Sequence, residues 1–326
     1  MPARRLCGLE PAAYRVVFVK RPADDRARQD LAREWTMYQR LASLHGDATR
    51  LAPAALAWDG ESLTLEALAG CDLHTEVTRA GDIAPGLAAS AGRALAGLHG
   101  QTPGTDLPIA RPARRVNIHR PTPAVISGLS AAGIELVRMI QRSPELWGLL
   151  DRLGSGTESH LIHGDLRWEN VFVVDGGCPA PQVRFVDWEW AGLGDPAWDV
   201  GCFVAAAVGA WIDSIPPLPG VDAALLTRLA GLELGTIAAA VQEFLGAYVA
   251  HRSLELDAES LRIAAFRVAG VRLVDLAFDA TAELEDPVLR HAFYLQVATN
   301  ILLDPAAAAD WLGCGVSDGC GARRGE

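Results

Sequence analysis

Three side chains with oxygen at their tips, Asp165, Asn170 and Asp187, are spaced in a way that could support phosphoryl transfer. The segment His163-Gly164-Asp165-Leu166-Arg167-Trp168-Glu169-Asn170 runs into an apolar strand pattern at Val171 to Val174. A second such pattern, Val183 to Val186, ends on Asp187-Trp188-Glu189. Moving a phosphoryl group calls for a carboxylate that orients the attacking hydroxyl. It also calls for two oxygen ligands that hold Mg²⁺ against nucleotide phosphates. Asp165, Asn170 and Asp187 could supply all three. The two strand patterns flank Asp175-Gly176-Gly177, a turn signal, and so predict a hairpin. Asn170, just before its first strand, and Asp187, just after its second, can then converge on one ion.

The elements around this hairpin fall into a strand-rich first part and a helical remainder. Arg15 to Lys20 is β-branched and aromatic, closes at Arg21-Pro22 and could pair with Arg4 to Leu9. Asp24 and Asp25 are candidate caps for a helix carrying Leu31, Trp35, Tyr38 and Leu41 and ending near Gly46. Glu34 falls on or beside that apolar face, where a carboxylate wants a cationic partner. Pro53 to Trp58 and Ser62 to Leu68 read as strands around Asp59-Gly60, closed by Ala69-Gly70. Helical spacing covers Leu87 to His99 and recurs between Ala124 and Leu153, with a Pro-rich, basic loop from Gln101 to Pro123 between them. Beyond Pro196 helical blocks are expected near residues 198–212, 223–251, 258–284 and 287–303.

Composition narrows the class. The 326 residues are 50% hydrophobic, 21% charged and 6% aromatic, an ordinary globular balance with room for two domains or lobes. Twenty-nine Lys and Arg against 40 Asp and Glu give a net charge of −11, the wrong sign for a nucleic-acid partner. Val200 to Ile212 is too short an apolar run to cross a membrane, and the first residues show no secretory pattern, so a cytoplasmic location is expected. Cys7, Cys71, Cys178, Cys202, Cys314 and Cys320 are scattered without metal-ligand spacing, so no zinc site is expected. His45, His119, His251 and His291 are read as surface or capping residues, and Trp188 and Trp198 as core. Arg111, Arg114, Arg115 and Arg120 form a basic cluster that could be a solvated face or a docking patch for an acidic peptide. Glu189 and Asp195 could equally attract a cationic acceptor.

"HGDLRWENVFV" resembles the catalytic loop of the aminoglycoside-phosphotransferase and choline-kinase branch of the protein-kinase-like fold. "FVDWEWAGLGDPAWDVG" resembles that family's metal-binding segment with its following Asp-Pro-x-x-Asp. The resemblance implies an α+β, two-lobed fold: a reduced β lobe at residues 1–66, a hinge at 67–70, a mostly helical lobe over 71–312 and a flexible tail from 313. It implies an enzyme that uses ATP and Mg²⁺, with Asp165 as catalytic base and Asn170 and Asp187 as metal ligands. His163 would be structural, and Asp199 would brace the catalytic loop. His99 would pack, closing Leu95-x-x-Leu98-His99. Lys20 and Glu34 match the family's strand-lysine and helix-glutamate pair that serves the nucleotide phosphates. Backbone groups around Glu66 and Leu68 match the hinge that binds adenine.

Two departures from the family pattern bear on function. Nineteen residues precede Lys20, with Gly8 as their only glycine, too few for two strands and a Gly-rich phosphate loop. Three readings stand open: a start upstream of these residues, weakened nucleotide binding, or a partner protein that covers the site. Arg167 stands where small-molecule kinases of the family often carry His, and its fork suits phosphate oxygens in a catalytic role. The expected acceptor is a hydroxyl of a small molecule. The alternatives are a Ser/Thr side chain of a precursor peptide, dehydrated by a partner lyase, and a nucleotide-binding scaffold without catalysis.

Overall fold

The computed structural model describes residues 16–44, 50–101, 107–110, 118–151, 159–174, 181–218, 220–252, 257–279 and 288–314. The expected strand at Arg4 to Leu9 lies outside these residues, as do His45, Cys7, Cys178, Cys320, Arg111, Arg114, Arg115 and the turn at 175–177.

The first part is a small antiparallel sheet with one helix. β1 (Val17–Lys20) pairs with β3 (Leu63–Glu66), which pairs with β2 (Ala55–Trp58), giving the order β1-β3-β2. The β2–β3 turn is made by Asp59, whose Oδ1 accepts from the amides of Glu61 (2.8 Å) and Ser62 (2.6 Å), a local bond that competes well with extended structure. α1 (Asp25–Ala42) starts where Asp24 Oδ1 accepts from Ala27 N at 2.8 Å, a helix N-cap. It buries Leu31, Met37, Tyr38 and Leu41 at helical spacing, and Glu34 with them.

β4 (Gly70–Asp72) was not expected from the sequence. Only three residues long, it forms the edge of a second sheet of order β4-β6-β7, where β6 is Val171–Val174 and β7 is Gln182–Phe185. No periodicity can be read from three residues; pairing with Phe172 to Val174 is what makes them a strand. β5 (His160–Ile162) and β8 (Gly192–Gly194) form a third, two-stranded sheet. The first two sheets are stitched together by Phe185 N donating to Leu51 O at 2.6 Å and by the Arg184 to Glu66 ion pair at 2.8 Å.

The remainder is helical: α2 (Leu73–Ala80), α3 (Leu87–His99), α4 (Pro123–Ser127), α5 (Ala131–Arg142), α6 (Pro144–Asp151), α7 (Pro196–Asp213), α8 (Ala223–Arg228), α9 (Leu234–His251), α10 (Ala258–Asp279), α11 (Val288–Leu303) and α12 (Pro305–Trp311). The single block expected over 223–251 is two helices, broken around Gly231, whose amide donates to Ser214 O at 2.9 Å instead of continuing a helix. α7 is buried on all sides from Pro196 to Ile212 and packs against α10; α3 packs against α9. Gly201 permits the α7–α10 approach, since a Cβ there would lie 2.5 Å from the Ala265 carbonyl oxygen. The result is an α+β fold of two lobes, with the hairpin β6–β7 built onto the helical one.

Two histidine expectations fail. His119 and His291 are buried, at 4% and 2% exposure, rather than on the surface. His119 Nε2 lies 3.4 Å from Asp151 Oδ1, and Arg120 lies over the Trp147 ring while pairing with Asp151 at 2.9 Å. Aromatic and carboxylate neighbours from α6 draw this short segment inward, which its sequence does not reveal. Among the described residues no helix is long and apolar enough to cross a membrane.

Candidate active site

The loop from His163 to Arg167 is held almost entirely by bonds to its backbone. Asp199, in the first turn of α7, accepts from His163 N at 2.6 Å through Oδ2 and from Gly164 N at 2.8 Å through Oδ1. A carboxylate suits this place because a helix N-terminus is electropositive. Behind it His99 Nε2 sits 3.1 Å from Asp199 Oδ2, and His99 Nδ1 sits 2.8 Å from the Tyr248 hydroxyl. Gly164 takes φ +85°, and a Cβ there would lie 2.6 Å from the Trp190 carbonyl oxygen, so only glycine fits. Trp198 Nε1 donates to Gly164 O at 2.8 Å. His163 Nε2 is 2.8 Å from Val186 O, and Asp165 N donates to His163 Nδ1 at 3.3 Å. Together these bonds require the neutral imidazole with its proton on Nε2.

Asp165 is thereby held at the end of β5, nearly buried. A 3₁₀ turn at Trp168–Asn170 follows, and Asn170 Nδ2 donates back to Asp165 O at 2.8 Å and approaches its Oδ2 at 3.4 Å. Asn170 O accepts from Val186 N at 3.0 Å, which closes the mouth of the hairpin next to Asp187. Asp187 has φ +62°, the left-handed region, where short polar side chains are the non-glycine residues best tolerated.

Lys20 connects this mouth to the small sheet. Its Nζ lies 2.8 and 2.9 Å from the two Glu34 carboxylate oxygens and also bonds to Asp187 Oδ1. Burial alone would lower the Lys20 pKa, but the Glu34 and Asp187 carboxylates outweigh it and raise it, keeping the ammonium charged. Burial raises the Glu34 pKa, and Lys20 only partly opposes this. Burial likewise raises Glu189, with Lys20 opposing and Asp187 adding to the rise. Arg33 Nη2 bonds to Ile109 O (2.9 Å) and Ala191 O (3.0 Å), docking α1 beside the segment that follows Asp187.

Lys20, Glu34 and Asp187 thus form one cluster, and Asp165, Asn170 and Arg167 a second, joined by the hairpin. Arg167 folds back onto its own loop, with Nε 3.7 Å from Asp165 Oδ2 and 3.8 Å from Glu169 Oε2. Glu66 is not in either cluster. Its side chain accepts from Arg184 and from Ala54 N, and its own N–H donates to Ala54 O at 2.8 Å. Leu68 is half-buried in the turn between β3 and β4.

The sequence reading missed Arg272 and Asp275 of α10. Arg272 Nη2 donates to Asp165 Oδ1 at 2.9 Å, and Nη1 to Asp275 Oδ2 at 3.1 Å. The only available signal was an Arg and an Asp one turn apart in the apolar run Val271-Arg272-Leu273-Val274-Asp275-Leu276.

The model of the phosphotransferase enzyme family, APH, matches residues 9–239, and the chain belongs to that family. It is a phosphotransferase by that membership. A comparison with curated proteins returned no significant match. Among solved structures it is similar to a glucosamine kinase in complex with glucosamine, ADP and inorganic phosphate, at 19% identity and TM-score 0.47 over 91% of this chain and 78% of that one. It is also similar to the GDP complex of aminoglycoside 2'-phosphotransferase-IIIa, at 12% identity and TM-score 0.47 over 87% and 86%. A choline kinase from Cryptosporidium parvum Iowa II matches at 14% identity and TM-score 0.43 over 89% and 82%.

Proposed function

We propose that this phosphotransferase moves the γ-phosphoryl group of ATP, with Mg²⁺, to a hydroxyl of a small molecule. The observation that carries the reading is Lys20 held between Glu34 and Asp187, with Asp165 and Asn170 at the other side of the same hairpin mouth. Lys20 would meet the nucleotide phosphates. Asn170 and Asp187 fit a magnesium ion: Asn170 spends its amide N–H on Asp165 O, which leaves the amide oxygen as a ligand, and Asp187 supplies a carboxylate. Two protein oxygens suit an ion that keeps several waters and shares phosphate oxygens; when bound it would neutralise charge on those phosphates.

Asp165 would orient the acceptor hydroxyl in line with the γ-phosphorus. A bond forms from the acceptor oxygen to phosphorus as the bond to the β,γ-bridging oxygen breaks. ADP leaves with that electron pair, and the hydroxyl proton passes to Asp165 and on to water. The hinge reading at 67–70 belongs to the same proposal and is supported by the gap between β3, ending at Glu66, and β4, starting at Gly70. Backbone groups around Glu66 and Leu68 would meet the adenine there.

A small acceptor is favoured over a peptide because the two described cations that suggested peptide docking, Arg167 and Arg120, are engaged within their own surroundings. Arg167 turns toward Asp165 and Glu169, and Arg120 is held by Trp147 and Asp151. The test is thermal melting with ATP and Mg²⁺, with Asp187→Ala as control. Transfer of label from γ-labelled ATP to glucosamine, choline, gentamicin and Ser-containing peptides would follow. Mg²⁺-dependent stabilisation lost in Asp187→Ala, with label on a small molecule, is the expected result. Label on peptide would replace the acceptor class, and stabilisation without any transfer would mean a scaffold.

A further inference from the structure

The Asp165 carboxylate is backed by a cation that the phosphoryl-transfer reading leaves unused. Arg272 lies in the middle of α10, and its side chain and that of Asp275 are each 6% exposed. Its two terminal nitrogens are divided between two carboxylates, Asp165 Oδ1 at 2.9 Å and Asp275 Oδ2 at 3.1 Å. Removing three charges from water is costly, and apolar residues of similar volume generally serve stability as well or better. The triad therefore calls for a reason besides stability.

Its geometry supplies one. A guanidinium is planar, with donors in a fixed fork. Asp275, one turn further along the same helix, fixes one arm of that fork, and the other arm then holds Asp165 Oδ1. The placement comes from helix packing and not from a loop, because α10 is pressed against α7 at Gly201. Asp165 Oδ2 is left with looser neighbours, Asn170 Nδ2 at 3.4 Å and Arg167 Nε at 3.7 Å.

We propose that Arg272 is a positioning residue for phosphoryl transfer: it pins Oδ1 of Asp165 so that Oδ2 is presented to the attacking hydroxyl, with Asp275 as its anchor. This rests on the reading of Asp165 as the group that orients the acceptor. Lysine at 272 would keep a charge but could not bridge both carboxylates in one plane. Glutamine would remove the charge.

The experiment measures phosphate release from Mg-ATP with water as the acceptor, together with thermal melting, for the full chain and for Asp165→Asn, Arg272→Gln, Arg272→Lys and Asp275→Asn. A carboxylate displaced by about 1 Å can cost on the order of 100-fold, so Arg272→Gln should lower kcat at least ~20-fold while the KM for ATP stays within about twofold. Arg272→Lys, which keeps the charge but not the fork, should recover only part of that loss, and recovery to the starting kcat would overturn the geometric role given to the fork. In the Asp165→Asn background Arg272→Gln should add no further loss, because its effect passes through Asp165.

A folded Arg272→Gln with unchanged kcat beside a slow Asp165→Asn overturns the proposal. So does an equal loss in both backgrounds, or a loss carried by KM. If Arg272→Gln does not fold, Asp275→Asn decides: a kcat loss of about fivefold at constant KM supports the anchor, and no loss overturns it. Where water is not accepted the same comparisons are read with the small molecule that takes label; if the unaltered chain transfers phosphate to neither, or Asp165→Asn is as fast, the parent reading has failed and this inference goes with it.

Discussion

Asp199 accepts the backbone amide of Gly164 at 2.8 Å across 35 residues of chain, and its other oxygen takes the amide of His163. One buried carboxylate therefore satisfies two N–H groups of the 163–167 loop that no strand or helix serves. Losing a charged acceptor for buried donors costs more than losing a neutral one. Asp199→Asn should lower unfolding stability by about 3 kcal/mol, because an amide NH₂ must then face an N–H or the His99 ring. Urea unfolding read by tryptophan fluorescence measures it. A loss below about 0.5 kcal/mol, the size of an ordinary surface change, would show that the brace is dispensable.

Lys20→Met leaves the Glu34 carboxyl buried without its main cation. Its pKa, already raised by burial, should rise further. A carboxyl whose folded pKa exceeds its unfolded value binds its proton more tightly in the folded chain. Its contribution is thus most favourable at low pH and is lost as pH rises through the folded pKa. The variant should be destabilised by about 3 kcal/mol at pH 8, and less as pH falls toward the ordinary Glu range near about 4.3. Melting of both proteins across pH 5 to 8 would show it, and a pH-independent difference would argue against a buried, unpaired Glu34.

Asp187 is 46% exposed and sits in left-handed backbone that asparagine also tolerates. Asp187→Asn should therefore leave the melting of the free protein nearly unchanged, within about 1 kcal/mol, while abolishing the extra stabilisation by ATP with Mg²⁺. A retained magnesium-dependent shift would remove Asp187 from the metal ligands.

Gly164→Ala tests the loop backbone itself. The new methyl meets the Trp190 carbonyl oxygen at 2.6 Å, and alanine is strained at φ +85°. A loss of about 2 to 4 kcal/mol is expected, with phosphate release reduced in the fraction that still folds. A neutral outcome in melting would mean that the loop relaxes.

Local elements were readable to within a few residues. Asp24 capping α1, the Asp59 turn, helix α3 at Leu87–His99 and both strands of the β6–β7 hairpin follow from capping, turn chemistry and periodicity, all of which act within a few positions along the chain. The expectation of a cationic partner for Glu34 was also readable, since an acid on an apolar helix face has few other options. Short elements were not. β4 is a strand only because β6 lies beside it, and the buried states of His119 and His291 depend on what packs over them.

By itself the sequence determined the longer helices and strands and most of the polar residues that could serve phosphoryl transfer, because spacing and residue type are properties of neighbours in the chain. Only the tertiary structure decided that Lys20 bonds to Glu34 and Asp187 together, and that Arg272, 107 residues beyond Asp165, stands behind its carboxylate. Such contacts depend on which faces meet and how closely; for Arg272 that is set where α10 packs closely against α7 at Gly201, which no local pattern encodes.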